Sequence, residues 1–224
     1  MKSILFVLLS FLFVNSCGIT SPSEEQWQDV SSFSWPTKVG TLMRYRTEAD
    51  VNGSKGVSNE DFSIQISNKD SYKGRYFFQM KEKGGSSGNN FGFIPLNKDT
   101  LITMNVPYAK YALVGPLVKD KTWISDYKDD IETIPLTRAT VIEKLSELQL
   151  EGVNYHDIVV VKYELIDINS LDEGDIISSY IRSYAKGVGA IQTIENSVPR
   201  RKSPVNNQEY LISSSVLLET VPSP

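Results

Sequence analysis

Apolar and polar residues alternate with a period of two in many stretches of this sequence, and this pattern limits the possible folds most. In one stretch Phe62, Ile64 and Ile66 alternate with serine and glutamine. Successive side chains of a β-strand point to opposite faces, so the alternation predicts strands with one buried face. Clusters of glycine, serine and asparagine, such as residues 84–90, separate these runs and are typical of turns. The sequence therefore predicts an all-β domain with little helix, mostly a meander of antiparallel strands, over residues 42–47, 62–67, 76–81, 100–104, 108–114, 158–166, 176–184, 190–194 and 210–218.

Residues 139–150 fit two kinds of secondary structure. Val141, Leu145 and Leu148 recur at the spacing of a helix, whereas the β-branched residues 140–142 are typical of a strand. We expect a strand here.

Gly187 and Gly189 are separated by one residue and lie between two predicted strands. Glycine adopts positive φ angles without strain, so the pair predicts a tight turn or a kink where the sheet bends. A phosphate-binding loop is the alternative, but that loop requires a third glycine and a following helix. We interpret the segment as architectural.

The first 16 residues have the layout of a signal peptide. Lys2 is followed by an almost continuous apolar run from Ile4 to Val14. A membrane-spanning helix needs about 20 apolar residues, and this run stops short at Asn15. We expect the segment to be removed rather than folded.

Val14-Asn15-Ser16-Cys17 resembles the lipobox of bacterial lipoproteins. The resemblance implies cleavage after Ser16, diacylglycerol on the Cys17 sulfur and a further acyl chain, such as palmitate, on the new amino group. Two or three acyl chains hold a protein at a membrane far more firmly than one. Gly18 is similar to the pattern of lipoproteins sorted to the outer membrane, on its periplasmic face or at the cell surface. An ordinary secretory signal that ends near a cysteine is the alternative.

The mature chain is predicted to hold one folded domain. Residues 17–37 are rich in serine, proline, glutamate and glutamine, which is the composition of a tether between the lipid and the domain. Trp27 and Trp35 are expected to dock onto the domain, because aromatic side chains bury large areas, and rest at the membrane interface is the alternative. Residues 38–220 then form a single β domain, and residues 221–224 are expected to fray.

The residue counts argue against several classes of function. Cys17 is the only cysteine, so its lipidation leaves no thiol for a disulfide, a zinc cluster or a nucleophile. His156 is the only histidine, and we interpret it as a surface turn residue or a contact at the start of a strand rather than a member of a catalytic relay. The formal net charge is −4, and loss of Lys2 makes it more negative, so nucleic acid is not an expected partner. We predict no cofactor.

Carboxylates are the abundant reactive groups, and the densest cluster is Asp126, Asp129, Asp130 and Glu132. Such a cluster is the candidate calcium site of this chain, but its spacing does not match an EF-hand loop. Acidic runs between strands are usually solvated turns, so we predict no metal site. Glycosidases use a pair of carboxylates for catalysis, so an envelope hydrolase is an alternative function.

Four short motifs stand in the domain: Val39-Gly40 followed by Tyr45, Gly115-Pro116-Leu117 with Lys121-Thr122-Trp123, Gly152 to Asp157, and Tyr184 to Gly189. Together they resemble an uncharacterised family of bacterial lipoproteins that share a domain of unknown function. The resemblance implies a long, strongly curved antiparallel sheet, a half-barrel or open barrel similar to the lipoprotein carriers of the LolA/LolB type.

A strongly curved sheet either fills its concave face with its own side chains or encloses a cavity. Aromatic residues are frequent in the first half of the domain, and we predict Tyr76, Phe78, Tyr111 and Trp123 as contacts for an apolar ligand. The predicted function is non-enzymatic: a membrane-anchored envelope lipoprotein that binds an apolar molecule or has a structural role. The alternatives are the carboxylate hydrolase and a subunit of a surface protein complex that docks through a sheet face or an edge strand.

Overall fold

The computed structural model describes residues 29–51, 54–72, 75–83, 91–105, 108–126, 136–167, 175–197 and 210–223. The signal peptide, Cys17 and Trp27 lie outside the described residues. The described residues form one 3₁₀ helix, Val30–Phe33, and twelve strands. The strands are β1 (Leu42–Val51), β2 (Ser54–Tyr72), β3 (Arg75–Glu82), β4 (Phe91–Asn97), β5 (Thr100–Asn105), β6 (Tyr108–Val114), β7 (Thr122–Ile124), β8 (Leu136–Leu150), β9 (Val153–Asp167), β10 (Asp175–Ala185), β11 (Gly189–Ser197) and β12 (Tyr210–Val221).

All twelve strands belong to one antiparallel sheet, in which strands adjacent in the chain pair with each other, except for β6 and β7. The first and last strands, β1 and β12, also pair, with Arg46 opposite Val216. This order places β6 and β7 at the two edges of the sheet. The predicted all-β meander with little helix is confirmed.

The two edge strands meet, so the sheet nearly closes into a barrel. The Tyr111 amide donates to the Ser125 carbonyl oxygen at 2.6 Å, and Lys110 forms an antiparallel bridge with Asp126. The Trp123 Nε1 also donates to the Tyr111 carbonyl oxygen at 2.9 Å. These contacts use backbone groups that a free edge would offer to another chain. The strong curvature that we predicted is confirmed.

Residues 139–150 belong to β8, which confirms the predicted strand. A β-bulge follows Val141 and reverses the face to which later residues point. Val141 is opposite Val161, whereas Leu145 is opposite Ile158, which lies on the other face of β9. The apolar positions imitate helical spacing because they change face part-way along the strand.

Buried tyrosines cross the interior of the barrel and tie distant strands together. Tyr163 on β9 is 1% exposed, and its hydroxyl donates to the Ala112 carbonyl oxygen on β6. The Tyr155 hydroxyl, also on β9, donates to the Leu217 carbonyl oxygen on β12 at 2.9 Å. Both buried hydroxyls are therefore satisfied by backbone carbonyls of strands that are not their neighbours in the sheet.

The residues that precede β1 plug one end of the barrel. Val30 and Phe33 are fully buried, and Trp35 is 3% exposed. The Trp35 and Phe91 rings meet edge to face, with centroids 5.0 Å apart. Trp35 docks as predicted, and residues 29–37, which are the described part of the predicted tether, pack against the domain.

Gly187 and Gly189 have φ angles of +75° and +91° in the turn between β10 and β11. The Gly187 amide donates to the Ser32 carbonyl oxygen at 2.6 Å, which ties this turn to the plug. A Cβ atom added to Gly189 would lie 2.7 Å from Trp35 Cγ. The glycines are architectural, as predicted, and Gly189 also leaves room for the plug.

The barrel has two different ends because successive strands run in opposite directions. The plugged end carries residue 29 and the connections 98–99, 115–121 and 186–188. The opposite end, termed the mouth, carries connections that lie mostly outside the described residues, such as 84–90.

The described part of the predicted tail, residues 221–223, lies at the plugged end. Val221 pairs with Leu42, and the Lys38 ammonium donates to the Ser223 carbonyl oxygen.

Within the described ranges, none of the helical structure is long and apolar enough to span a bilayer.

Candidate ligand-binding site

A cavity of about 300 Å³ lies inside the barrel near its mouth. This volume is at the lower end of the range for small-molecule pockets, roughly 300–1,000 Å³. We refer to it as the lumen cavity. Residues of β4, β5, β6, β10 and β11 line it: Phe91, Thr103, Met104, Lys110, Tyr180, Arg182, Thr193 and Glu195.

Strand register brings four of the lining residues together. Arg182 on β10 is opposite Thr193 on β11, and Tyr180 is opposite Glu195. Alternate residues of a strand share a face, and paired residues of neighbouring strands share it too. All four side chains therefore point into the barrel, and the charged Arg182 occupies an inward position.

Neighbouring side chains hold the Arg182 guanidinium in place. Its Nε donates to the Thr193 Oγ1 at 3.0 Å. Its central carbon lies 5.3 Å from the centroid of the Tyr180 ring, within the range of a cation–π contact. Burial lowers the pKa of Arg182, but interactions with Tyr184, Tyr180 and Tyr163 raise it by more, so the group stays charged. None of the ion pairs among the described residues includes Arg182.

The other two charged residues of the lining have partners of their own. The Lys110 Nζ lies 3.5 Å from the Asp126 carboxylate and donates to the Thr137 Oγ1 at 3.0 Å. Glu195 is exposed and accepts a hydrogen bond from the Ser213 hydroxyl at 3.3 Å. Of the charged side chains that line the cavity in the described structure, Lys110 is paired with a carboxylate, whereas Arg182 is the cation that takes part in none of these ion pairs.

Tyrosine rings form the wall beside Arg182. Tyr180 stacks on Tyr163 with the ring centroids 4.5 Å apart and an interplanar angle of 12°. Burial raises the pKa of Tyr180 to about 12, although Arg182 opposes the shift. Burial also raises the pKa of Tyr163 well above its usual value. Both hydroxyls are protonated at neutral pH, so this wall is aromatic and uncharged.

Trp35 of the plug packs against the ring of Phe91, which lines the cavity, and we term this support beneath Phe91 the floor. The Trp35 Nε1 donates to the Tyr45 hydroxyl at 3.2 Å, and that hydroxyl donates to the Ala190 carbonyl oxygen at 2.9 Å. Burial raises the pKa of Tyr45, so it remains a donor. A chain of hydrogen bonds therefore fixes the floor to β1 and β11.

None of the four aromatic residues predicted as ligand contacts is among the residues that line the lumen cavity. Phe78 stacks on Phe93 in the interior, with centroids 5.5 Å apart, and Trp123 packs against the interior core at the seam. Tyr111 packs against a second cluster on the other face of the sheet, and Tyr76 is 63% exposed. The structure does not bring the four together, and their role in binding stays a prediction.

Of the candidate calcium cluster, Asp126 alone lies in the described residues. Its carboxylate pairs with Lys110 and accepts a hydrogen bond from the Thr137 amide. Asp129, Asp130 and Glu132 lie outside the described residues. Within the part of the chain that the structure describes, no group of three or more His, Cys, Asp or Glu side chains could hold a metal ion.

Sequence reasoning missed Arg182, although the sequence carries a signal for it. Tyr180, Arg182 and Tyr184 alternate along one strand, so the arginine shares a face with two aromatic residues. A charged residue at a position of the apolar face is unusual, because an isolated buried charge is costly. That conflict marks a functional candidate.

A larger depression of about 520 Å³ lies at the plugged end, beside Ser32, Trp35, Pro36 and Lys98. It is a shallow groove on the outer surface of the plug. The lumen cavity is enclosed by strands on several sides and combines an aromatic wall with a charged group, so it is the better candidate for a ligand site.

The fold and the cavity together define a nearly closed antiparallel barrel with an aromatic and polar lumen. No protein-family model matches this chain, and no curated protein matches it by sequence.

This chain is similar to three solved structures, each at low sequence identity. A predicted exported protein with a YmcC-like fold from Bacteroides fragilis is 11% identical, with a TM-score of 0.39, and the match covers 84% of this chain and 99% of that chain. A predicted lipoprotein from Parabacteroides distasonis is 13% identical, with a TM-score of 0.38 and coverage of 84% and 97%. A LolA-superfamily protein from Nitrosomonas europaea is 7% identical, with a TM-score of 0.33 and coverage of 91% and 95%.

Proposed function

We propose that this chain is a lipid-anchored protein of the bacterial cell envelope, held in the outer membrane through Cys17, and that its barrel binds a small molecule without converting it. The signal-peptide layout and the lipobox-like segment 14–17 support the anchor. The observation that carries the binding role is the lumen cavity, which has a fixed floor, an aromatic wall and a charged group.

The lining of the cavity favours binding over hydrolysis. Glu195 is the single carboxylate among the described residues that line it. Glycoside hydrolysis by the usual route requires two carboxyl groups that flank the scissile bond. The Arg182 guanidinium and the Thr193 hydroxyl instead supply the few placed polar groups that orient a ligand in a mainly apolar pocket.

Metabolic labelling tests the anchor. Cells expressing the full chain are grown with an alkyne analogue of palmitate, and the purified protein is probed for the alkyne. We expect label on the wild-type protein and none on Cys17→Ser, because Cys17 is the only cysteine. Equal labelling of the two proteins would refute lipidation at this residue, and an unlabelled wild-type protein in the soluble fraction would refute the anchor.

Native mass spectrometry tests the cavity. The full chain is purified from cells, and its mass is measured before and after extraction with organic solvent. We expect an added mass that extraction removes and that Thr103→Phe reduces, because Thr103 is 8% exposed and its replacement would fill part of the cavity. Thr122→Phe makes the same change at an exposed position and is the matched control. A wild-type protein without added mass would refute constitutive occupancy.

A further inference from the structure

Arg182 brings a charge to the cavity wall that the described protein groups do not neutralise. A guanidinium carries five N–H donors in a planar fork that suits the two oxygens of a carboxylate or phosphate. The Thr193 hydroxyl accepts from Nε and fixes the orientation of this fork. Removing a cation from bulk water is unfavourable unless an opposite charge accompanies it. The site therefore favours an anion.

The size of the cavity limits what the anion can be attached to. A volume of about 300 Å³ lies at the lower end of the range for pockets that hold small molecules. A phospholipid or the acylated end of a lipoprotein is several times larger. A ligand that fits inside has one short chain or one ring.

Aromatic faces stand where the apolar part of such a ligand would lie. Phe91 lines the cavity on β4, above the Trp35 floor, and Tyr180 lines it on β10. The Tyr180 ring also carries the cation–π contact to Arg182, so the charged and aromatic groups are adjacent. This juxtaposition suits an amphiphile with its head and tail close together.

From these observations we infer that the lumen cavity selects a small anionic amphiphile, whose carboxylate or phosphate group binds Arg182 and whose apolar part packs against Phe91 and Tyr180. The inference rests on the proposed binding function and adds the chemical class of the ligand. Glu195, which is exposed and opposite Tyr180, is the carboxylate of the protein that would compete with a bound anion for Arg182.

The test compares octanoate with octan-1-ol, which share an eight-carbon chain and differ in charge. Hexyl phosphate is the third probe, because it distinguishes a preference for phosphate from one for carboxylate. The full chain is expressed with its own signal sequence and purified in the form that the cell makes, in nanodiscs if it is membrane-bound. Binding of each radiolabelled probe is measured by equilibrium dialysis, and the value for empty nanodiscs is subtracted.

We expect octanoate to bind the wild-type protein at least about tenfold more tightly than octan-1-ol, because a hydrogen bond to a charged group contributes that much or more. Arg182→Gln removes this preference, whereas Arg182→Lys keeps part of it. Glu195→Gln does not weaken octanoate binding. Lys186→Gln removes a positive charge from the exposed turn at the plugged end and leaves the affinity within about twofold of wild type, as expected for a surface charge screened by salt.

Two results would overturn the anionic selectivity while leaving the binding function intact. One is equal affinity of the wild-type protein for the acid and the alcohol, which needs no variant and does not depend on the folding of any substitution. The other is unchanged octanoate affinity in Arg182→Gln. If none of the three probes binds the wild-type protein above background, both the selectivity and the proposed binding function are wrong.

Discussion

Alanine at Gly189 is expected to destabilise the protein much more than alanine at Gly187, although both residues lie in the same turn. Both have positive φ angles, +91° and +75°, so a Cβ atom strains the backbone by about 1–2 kcal/mol at either position. At Gly187 the new Cβ would meet no atom within 4 Å. At Gly189 it would lie 2.7 Å from Trp35 Cγ and 2.8 Å from Trp35 Cα. Because a backbone atom of the plug cannot rotate away, overpacking adds about 1–3 kcal/mol.

The free energy of unfolding should therefore fall by about 1–2 kcal/mol in Gly187→Ala and by about 2–5 kcal/mol in Gly189→Ala. Urea unfolding of the mature chain carrying Cys17→Ser, followed by far-ultraviolet circular dichroism, measures both values. Combining Gly189→Ala with Trp35→Ala gives a double-mutant cycle. Trp35→Ala removes the ring atoms Cγ and Cδ1 but leaves Cα, so it relieves part of the clash, and we expect a coupling energy of about 0.5–3 kcal/mol. Equal stability of the two alanine variants, or a coupling energy near zero, would refute the placement of Trp35 beside Gly189.

Two further predictions concern single side chains. Tyr163→Phe removes the hydroxyl that bonds across the barrel, so it lowers the free energy of unfolding by about 1–3 kcal/mol in urea titrations. The control Tyr76→Phe, at a residue 63% exposed, changes the free energy of unfolding by no more than about 0.5 kcal/mol. Similar losses in the two variants would contradict the cross-barrel hydrogen bond. Burial raises the pKa of Glu164, but its ion pairs with Lys162 and Arg138 lower it by more. Because the pKa of Glu164 is lower in the folded state, its ionised carboxylate stabilises the fold at pH values above the unfolded-state pKa of about 4.3. This stabilisation is lost as the pH falls through the folded-state pKa. Glu164→Gln should therefore be less stable than wild type near neutral pH and show a flatter loss of stability in acid, and parallel pH profiles would contradict this assignment.

The individual strands could be predicted from the sequence because their signal is local. Phe62 and Ile64 alternate with polar residues, and both pack in the interior. In β8 the bulge after Val141 weakened the alternation, yet the β-branched residues around it still favoured a strand over a helix. The turn at Gly187 and Gly189 was equally local, since positive φ angles select glycine.

The closure of the sheet could not be predicted in the same way. It depends on curvature that accumulates over twelve strands, and contacts such as the Tyr111 amide to the Ser125 carbonyl involve backbone atoms that carry no sequence signal. The plug was obscured for a related reason. Val30, Phe33 and Trp35 lie in a polar segment with the composition of a tether, and their burial depends on a cavity that exists only after the strands have paired.

The candidate site was missed because aromatic content was taken as its main signal. Most of the aromatic residues serve the core: Phe78 stacks on Phe93, and Tyr163 bonds across the barrel. The informative residue was the charged one on an apolar face, Arg182. Its partner Thr193 becomes visible only with the register of β10 and β11, which sequence periodicity does not fix.

The positions of the plug and the cavity together bear on how a ligand would enter. In the proposed anchored form the spacer from Cys17 to Asp29 has about 12 residues, so its fully extended reach is about 42 Å. The chain enters the barrel at the plugged end, and the cavity lies towards the mouth. The Val30 amide donates to the Lys98 carbonyl oxygen, so the chain enters beside the connection between β4 and β5. These strands have seven and six residues, so the wall from this point to the mouth rises only about 20–23 Å. The extended reach of the spacer exceeds this height, so the anchor allows either end of the barrel to face the membrane. A small, water-soluble anion would reach Arg182 from the aqueous phase when the mouth faces away from the membrane.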